Sequence, residues 1–282
     1  MNSNLLASYQ DAPTRTVSAG GVGFAYRELG PKTGVPVVFL THLAAVLDNW
    51  DPRVVDGIAA HHRVITFDNR GVGASTGSTP KTIEAMAADA VTFIRALGLT
   101  KVDLLGFSMG GMIAQVIAQA EPELVRKLVI AGTGPAGGEG IENVTRISHL
   151  DTLRALLTLQ DPKQFLFFTR TSAGKRAGKE FLARLKERKT NRDKAISLPA
   201  YFAQLKAIHR WGLAEPADLS VIHQPVLVAN GDHDRMVPTE NSRDLARRLP
   251  DSELVIYPDA GHGGIFQFHG RFVEKTLEFL AR

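Results

Sequence analysis

The sequence contains no cysteine. Disulfide staples, zinc–thiolate centres, iron–sulfur clusters and a cysteine nucleophile are therefore excluded. Charge of one sign is scarce: 33 Lys and Arg stand against 29 Asp and Glu, a net +4 over 282 residues. So weak a field gives no reason to expect nucleic acid as a partner. No window approaches the ~18 consecutive apolar residues that a membrane-spanning helix needs. Met1–Gln10 carries no Lys or Arg and only a short apolar Leu5-Leu6-Ala7, which is unlike a secretory leader. The expectation is a soluble, cytoplasmic protein with no membrane span. Nine histidines are present, but the H-x-H and H-x-x-x-H spacings of metal sites are missing, so no metal is expected.

What is present reads as a folded globular chain. Hydrophobic residues make up 44% and charged residues 22%, well away from the composition of disordered proteins. The first half alternates short apolar runs with helical patterns. Val35–Leu40, Val64–Phe67, Val102–Leu105 and Lys127–Ala131 are near-continuous apolar runs, and Pro225–Ala229 follows much later. Runs of this kind suit strands covered on both faces by helices, as in a parallel sheet. Ile83, Met86, Ala90, Ile94 and Leu97 recur at helical spacing between them, as do Met109, Met112, Ile113, Val116 and Ile117. The class is therefore α/β with a mostly parallel sheet. Thr14–Leu29, with Gly20-Gly21 inside it, reads as an antiparallel hairpin at a sheet edge.

The alternation stops between Gly132 and His223. No strand is evident there, and four helix-like patterns are: Ile141–Leu150, Thr152–Leu159, Phe181–Lys189 and Ile196–Trp211. The interval is too long for a loop and reads as a helical insertion. Beyond it, Asn241–Leu249 reads as a helix, Glu253–Tyr257 as a last strand and Phe272–Ala281 as a last helix.

The sharpest signal is Gly106-Phe107-Ser108-Met109-Gly110, directly after one apolar run and directly before a helical pattern. In that strand–turn–helix setting, G-x-S-x-G forms a nucleophile elbow. A tight turn lifts the serine hydroxyl off the backbone and sets it at a helix N-terminus, where negative charge is favoured. Serine needs a base to take its proton, and the base needs an orienting acid. Two later segments offer them in the order Ser, acid, His. Gly231-Asp232-His233-Asp234-Arg235-Met236-Val237-Pro238 follows the Pro225–Ala229 run, and Ala260-Gly261-His262-Gly263 follows the last strand. Each lies just past a strand's carboxyl end, where open α/β sheets place their sites.

On these residues the chain resembles the α/β-hydrolase superfamily over nearly its whole length. The elbow at Ser108 is similar to that of the family. Gly231, Asp234, Val237 and Pro238 match its G-x-x-D-x-x-V-P pattern, and His262 matches its G-H motif. Asp68-Asn69-Arg70-Gly71-Val72-Gly73-Ala74-Ser75 resembles its D-x-R-G-x-G-x-S loop. The resemblance implies an α/β-hydrolase fold: a mostly parallel sheet of about eight strands flanked by helices. It implies a core over residues 1–133 and 224–282 with a helical cap over 134–223. It implies a catalytic triad of Ser108, Asp234 and His262, with Asp232 as the rival acid. One loop departs from the family. His42-Leu43-Ala44 stands where the family has His-Gly, so Leu43 replaces the glycine. By register the oxyanion donors are the backbone N–H groups of Ala44 and Met109, with Leu43 as the alternative to Ala44. His42 reads as a residue that holds this loop by a hydrogen bond.

The implied activity is that of a serine hydrolase cleaving an ester, lactone or related acyl compound, without a cofactor. The family also offers a cofactor-free haloperoxidase (perhydrolase) or a C–C bond hydrolase on the same triad, and, in another class, a small-molecule receptor. Epoxide hydrolases and haloalkane dehalogenases are disfavoured, since they carry aspartate at the position of Ser108. Leu43, Trp50, Phe168 and Trp211 are candidate substrate-pocket residues. Phe167 and Phe202 add aromatics to the insertion. The partner is thus a small-molecule acyl substrate, and the oligomeric state is left open. The triad and oxyanion donors all lie outside 134–223, so the insertion is expected to set specificity without taking part in assembling the chemistry. Gly174–Lys194 holds nine Lys and Arg against three Asp and Glu. It reads as a solvated helix face, with Phe181, Leu182 and Leu185 inward, or as an attractor of anions.

Overall fold

A computed structural model describes residues 8–282, so the reading of Leu5-Leu6-Ala7 lies outside the described residues. The edge hairpin forms as expected, from β1 (Arg15–Ala19) and β2 (Val22–Leu29). The remaining strands are β3 (Val37–Leu40), β4 (Val64–Phe67), β5 (Val102–Phe107), β6 (Val125–Ala131), β7 (Val226–Gly231) and β8 (Ser252–Tyr257). They assemble in the order β1-β2-β4-β3-β5-β6-β7-β8, an eight-stranded sheet. Only the β1–β2 and β2–β4 pairings are antiparallel; the others are parallel.

The apolar runs explain the layering. Every residue of β3, β4, β5 and β7 is buried, because helices cover both faces. On one face lie α2 (Ile83–Ala96) and α3 (Met109–Ala120), whose apolar stripes join Leu40, Ile65, Leu104 and Ile130 in one core cluster. On the other, α1 (Pro52–Ala59) and α10 (His269–Ala281) bring Val54, Ile58, Phe272 and Phe279 against Val37, Phe39, Leu105 and Val129. Local chemistry sets helix starts: Asp51 caps α1 ahead of Pro52, and Thr82 accepts from Ala85 N–H to start α2.

Between β6 and β7 the chain is helical, as expected, but its divisions differ. The patterns Ile141–Leu150 and Thr152–Leu159 form a single helix, α4 (Val144–Thr158). Asp151, the apparent break, is buried in mid-helix with its carboxylate 3.2 Å from Arg235. A short α5 (Lys163–Phe167) follows. Next, α6 covers Ser172–Arg184 in place of Phe181–Lys189, and α7 covers Leu198–Gly212. The remaining elements are α8 (Glu240–Arg248) and α9 (Gly264–Gln267). Among the described residues no helix is long and apolar enough to cross a membrane.

Candidate active site

β5 ends at Phe107, and Ser108 takes φ 56° and ψ −117° before α3 begins at Met109. A non-glycine residue held there is strained by about 1–3 kcal/mol. The flanking glycines make the turn feasible. A Cβ on Gly110 would lie 1.9 Å from the Leu40 carbonyl oxygen, and one on Gly106 would lie 2.4 Å from the Gly110 oxygen. The Ser108 N–H donates to the Ala131 oxygen of β6 at 2.8 Å, which pins the turn to the sheet. Met109 heads α3, so its N–H has no intrahelical acceptor.

Asp234 lies past β7 and His262 past β8, and both are buried. Nδ1 of His262 lies 2.7 Å from Oδ2 of Asp234. Oδ1 of Asp234 accepts the N–H groups of Met236 (2.8 Å) and Val237 (3.0 Å). Both carboxylate oxygens are thus occupied, and the acid's orientation is fixed. A carboxylate can only accept, so Nδ1 carries the proton and Nε2 is left as an acceptor. Asp232 points elsewhere: its Oδ1 meets His233 Nδ1 at 2.6 Å and the Ala260 N–H at 3.1 Å. The His262 ring stands 4.9 Å, between centroids, from Phe107, the residue before Ser108.

The loop after β3 holds the departure from the family pattern. The left-handed residue there is Ala44, at φ 62°, and not Leu43. His42 Nδ1 lies 2.8 Å from the Leu43 carbonyl oxygen, so the ring does tie the loop. Burial drives the His42 pKa down to about 3, which keeps the ring neutral. Packing between the rings of Phe107 and Phe167 holds it further. The Ala44 N–H, expected to be free for an oxyanion, is taken: it donates to Oε1 of Gln204 at 2.8 Å. Leu43's N–H has no protein acceptor among the described residues.

Two cavities flank this centre. One, of about 560 Å³, is lined by Asp234, His262, Phe165, Leu166, Phe168 and Arg170 among others. The second, of about 510 Å³, takes in His42, Leu43 and Ala44, with Leu153, Leu156, Leu198 and Phe202 as its apolar wall. Leu166 lines both.

Phe168 lines the first cavity and Leu43 the second. The two tryptophans require correction. Trp50 is buried edge-on against Phe39, with ring centroids 4.9 Å apart, and lines neither cavity. Trp211 is buried in the core, its Nε1 donating to the Gly134 oxygen at 3.2 Å. Both indoles pack the interior because that is where a large apolar surface gains most. Residues 134–223 do, however, contact the loops that carry the candidate residues. Gln204, on α7, holds the loop after β3 through the Ala44 N–H. Phe167, on α5, accepts the Gly263 N–H at 2.7 Å, and its ring lies 5.6 Å from that of His262. Gln204 was missed, yet a signal existed: it is a lone polar residue within the buried stripe Ala203, Ala207, Ile208 and Trp211.

The basic stretch divides as well. Arg184 forms a paired contact with the fully buried Asp51, and Arg188 and Arg192 approach Asp48 at 3.7 Å. These cations tether the insert to the loop after β3 and are not merely solvated.

The family described as alpha/beta hydrolase fold matches residues 35–268, so the chain belongs to that family. An alpha/beta hydrolase fold protein from Chitinophaga pinensis superposes with TM-score 0.93 at 39% identity, covering 97% of this chain and 99% of that one. A structure titled as Est816, an N-acyl homoserine lactone degrading enzyme, gives TM-score 0.74 at 27% identity over 94% of this chain and 100% of that one. Among curated sequences, the 2-hydroxy-6-oxo-6-(2'-aminophenyl)hexa-2,4-dienoic acid hydrolase of Metapseudomonas resinovorans is 28% identical over 95% of this chain and 91% of its own length.

Proposed function

We propose that the protein is a serine hydrolase that cleaves a carboxylic ester or lactone through an acyl-enzyme. The observation that carries this reading is the buried His262–Asp234 pair at 2.7 Å, set behind a strained serine elbow. Ser108 Oγ attacks the substrate carbonyl carbon while His262 Nε2 takes the hydroxyl proton. The carbonyl π electrons move to oxygen, giving an oxyanion. The N–H of Met109 stabilises it from one side. From the other side the loop after β3 offers the Leu43 N–H freely, and the Ala44 N–H once Gln204 Oε1 is displaced. Collapse expels the alcohol, which receives the proton from His262. Water, deprotonated by the same imidazole, then releases the acid and restores Ser108. Asp234 fixes the tautomer and stabilises the transient imidazolium. Helices α4–α7 serve as a cap whose apolar wall takes the acyl part. The expected setting remains cytoplasmic.

The relative named as a dienoic acid hydrolase favours a second reading, C–C bond cleavage on the same three residues. A panel of p-nitrophenyl esters, acyl lactones and a vinylogous diketone, with and without hydrogen peroxide, separates these chemistries. The highest kcat/KM is expected on an ester or lactone, with water as acceptor. Turnover confined to the diketone would install the second reading, and peroxide-dependent halogenation alone would install a perhydrolase.

A further inference from the structure

A third cleft, of about 380 Å³, opens on the insert beside the cavity that holds Asp234 and His262. The two are adjacent, with Phe165, Phe168, Thr169 and Arg170 lining both. Four cations converge on this cleft from three segments: Arg154 on α4, Arg170 after α5, and Lys175 and Lys179 on α6. No Asp or Glu lines it; the Thr158 hydroxyl donates to the Arg154 carbonyl oxygen at 2.8 Å, and that of Thr169 to Oδ1 of Asp259, just outside the lining, at 3.0 Å. Among the described residues none of the four cations has a carboxylate oxygen within 4.0 Å. Their neighbours differ, since Lys163 pairs with Asp161 and Arg184 with Asp51. The Arg154 guanidinium lies 4.7 Å from the centroid of the Phe165 ring, which orients it without neutralising it. Lys175 and Lys179 are one turn apart, where like charges repel and weaken the helix. An anion in the cleft would relieve that repulsion.

We propose that this cleft is an anion subsite and that the substrate is an acyl compound carrying a carboxylate at the end remote from the scissile bond. The proposal rests on the hydrolase reading for its substrate, while the subsite itself is independent of it. Chain atoms run from the scissile carbonyl past Phe165 and Phe168, and the carboxylate meets Arg170 and the two lysines. Arginine's planar fork and lysine's compact charge both suit that group.

The test compares two p-nitrophenyl esters of equal chain length, the hexanoate and the adipate monoester, at low and high salt. Lys175→Gln/Lys179→Gln is assayed beside the wild type. Binding of adipamic acid and of hexanamide, which do not turn over, is measured by calorimetry on the same two proteins. We expect the wild type to prefer the adipate monoester by about tenfold in kcat/KM at low salt, the scale of several exposed ion pairs acting together. The preference should reside in KM and shrink at high salt. It should fall by about threefold or more in the double variant, and adipamic acid should bind more tightly than hexanamide in the same proportion. Equal kcat/KM for the two esters, or a preference untouched by the double variant, overturns the subsite. If neither ester turns over while adipamic acid still binds through the two lysines, the subsite stands and the ester reading falls.

Discussion

Ser108, Asp234 and His262 each owe their position to the turn that ends a strand, and short-range chemistry fixes each turn. Glycines at 106 and 110 are required by contacts below 2.5 Å. Asp234 is held by two amides of its own loop, two and three residues on. Such constraints are local, so they leave a fixed spacing in the sequence from which the candidate triad could be proposed. The choice between Asp232 and Asp234 was legible only through the family pattern, since both sit past the same strand. The geometry separates them: Asp234 meets His262, whereas Asp232 meets an exposed His233. Replacing Asp234 by Asn should lower kcat by about 10⁴-fold, because the wrong imidazole tautomer then faces Ser108. Asp232→Asn should cost less than about tenfold. Steady-state kinetics on one activated ester decides it, and the reverse ranking would move the acid to Asp232.

The helices of the insert were legible as helices but not in their limits or contacts. Asp151 falls between the two helix-like patterns of the sequence, and the partner that holds it in mid-helix, Arg235, lies 84 residues on. The start of α6 was hidden by Gly174 and Gly178, which are poor helix formers. Gly178 is tolerated because the Gln164 amide packs against it, with a Cβ there only 2.3 Å from Nε2. The same long-range logic splits the aromatics. Phe167 is buried among His42, Phe107, His262 and Phe266, whereas Phe202 stays 55% exposed on the wall of the second cavity. Phe167→Ala should therefore destabilise the fold by about 3–5 kcal/mol and lower turnover on every ester alike. Phe202→Ala should leave thermal unfolding nearly unchanged. It should cut kcat/KM for hexanoate by up to about tenfold relative to acetate, since only part of the ring's surface is available to a substrate. Melting curves and the hexanoate-to-acetate ratio read both variants, and a selective effect from Phe167 with a uniform one from Phe202 would reverse the assignment.

Across the whole molecule the insert is tied to the sheet at both the chemistry and the rim. Gln204 reaches the loop after β3, Phe167 reaches the loop that carries His262, and Arg184 reaches Asp51 at the start of α1. A buried set of charges, Arg27 with Asp48 and Asp193, adds a further link from β2 to the segment after α6. None of these links joins residues close in sequence; Arg27 and Asp193 are 166 apart. The strand–helix alternation and the edge hairpin could be read from the pattern of apolar runs, while the sheet order and this tethering could not, because they depend on which surfaces meet. The central claim is that Ser108 is an activated nucleophile within this assembly. It is tested most directly by treating the protein with a fluorophosphonate and mapping the adduct by peptide mass spectrometry. One adduct is expected, on Ser108, formed in the wild type, absent in Ser108→Ala and strongly slowed in His262→Ala. Labelling that misses Ser108, or that proceeds at the wild-type rate without His262, would contradict it.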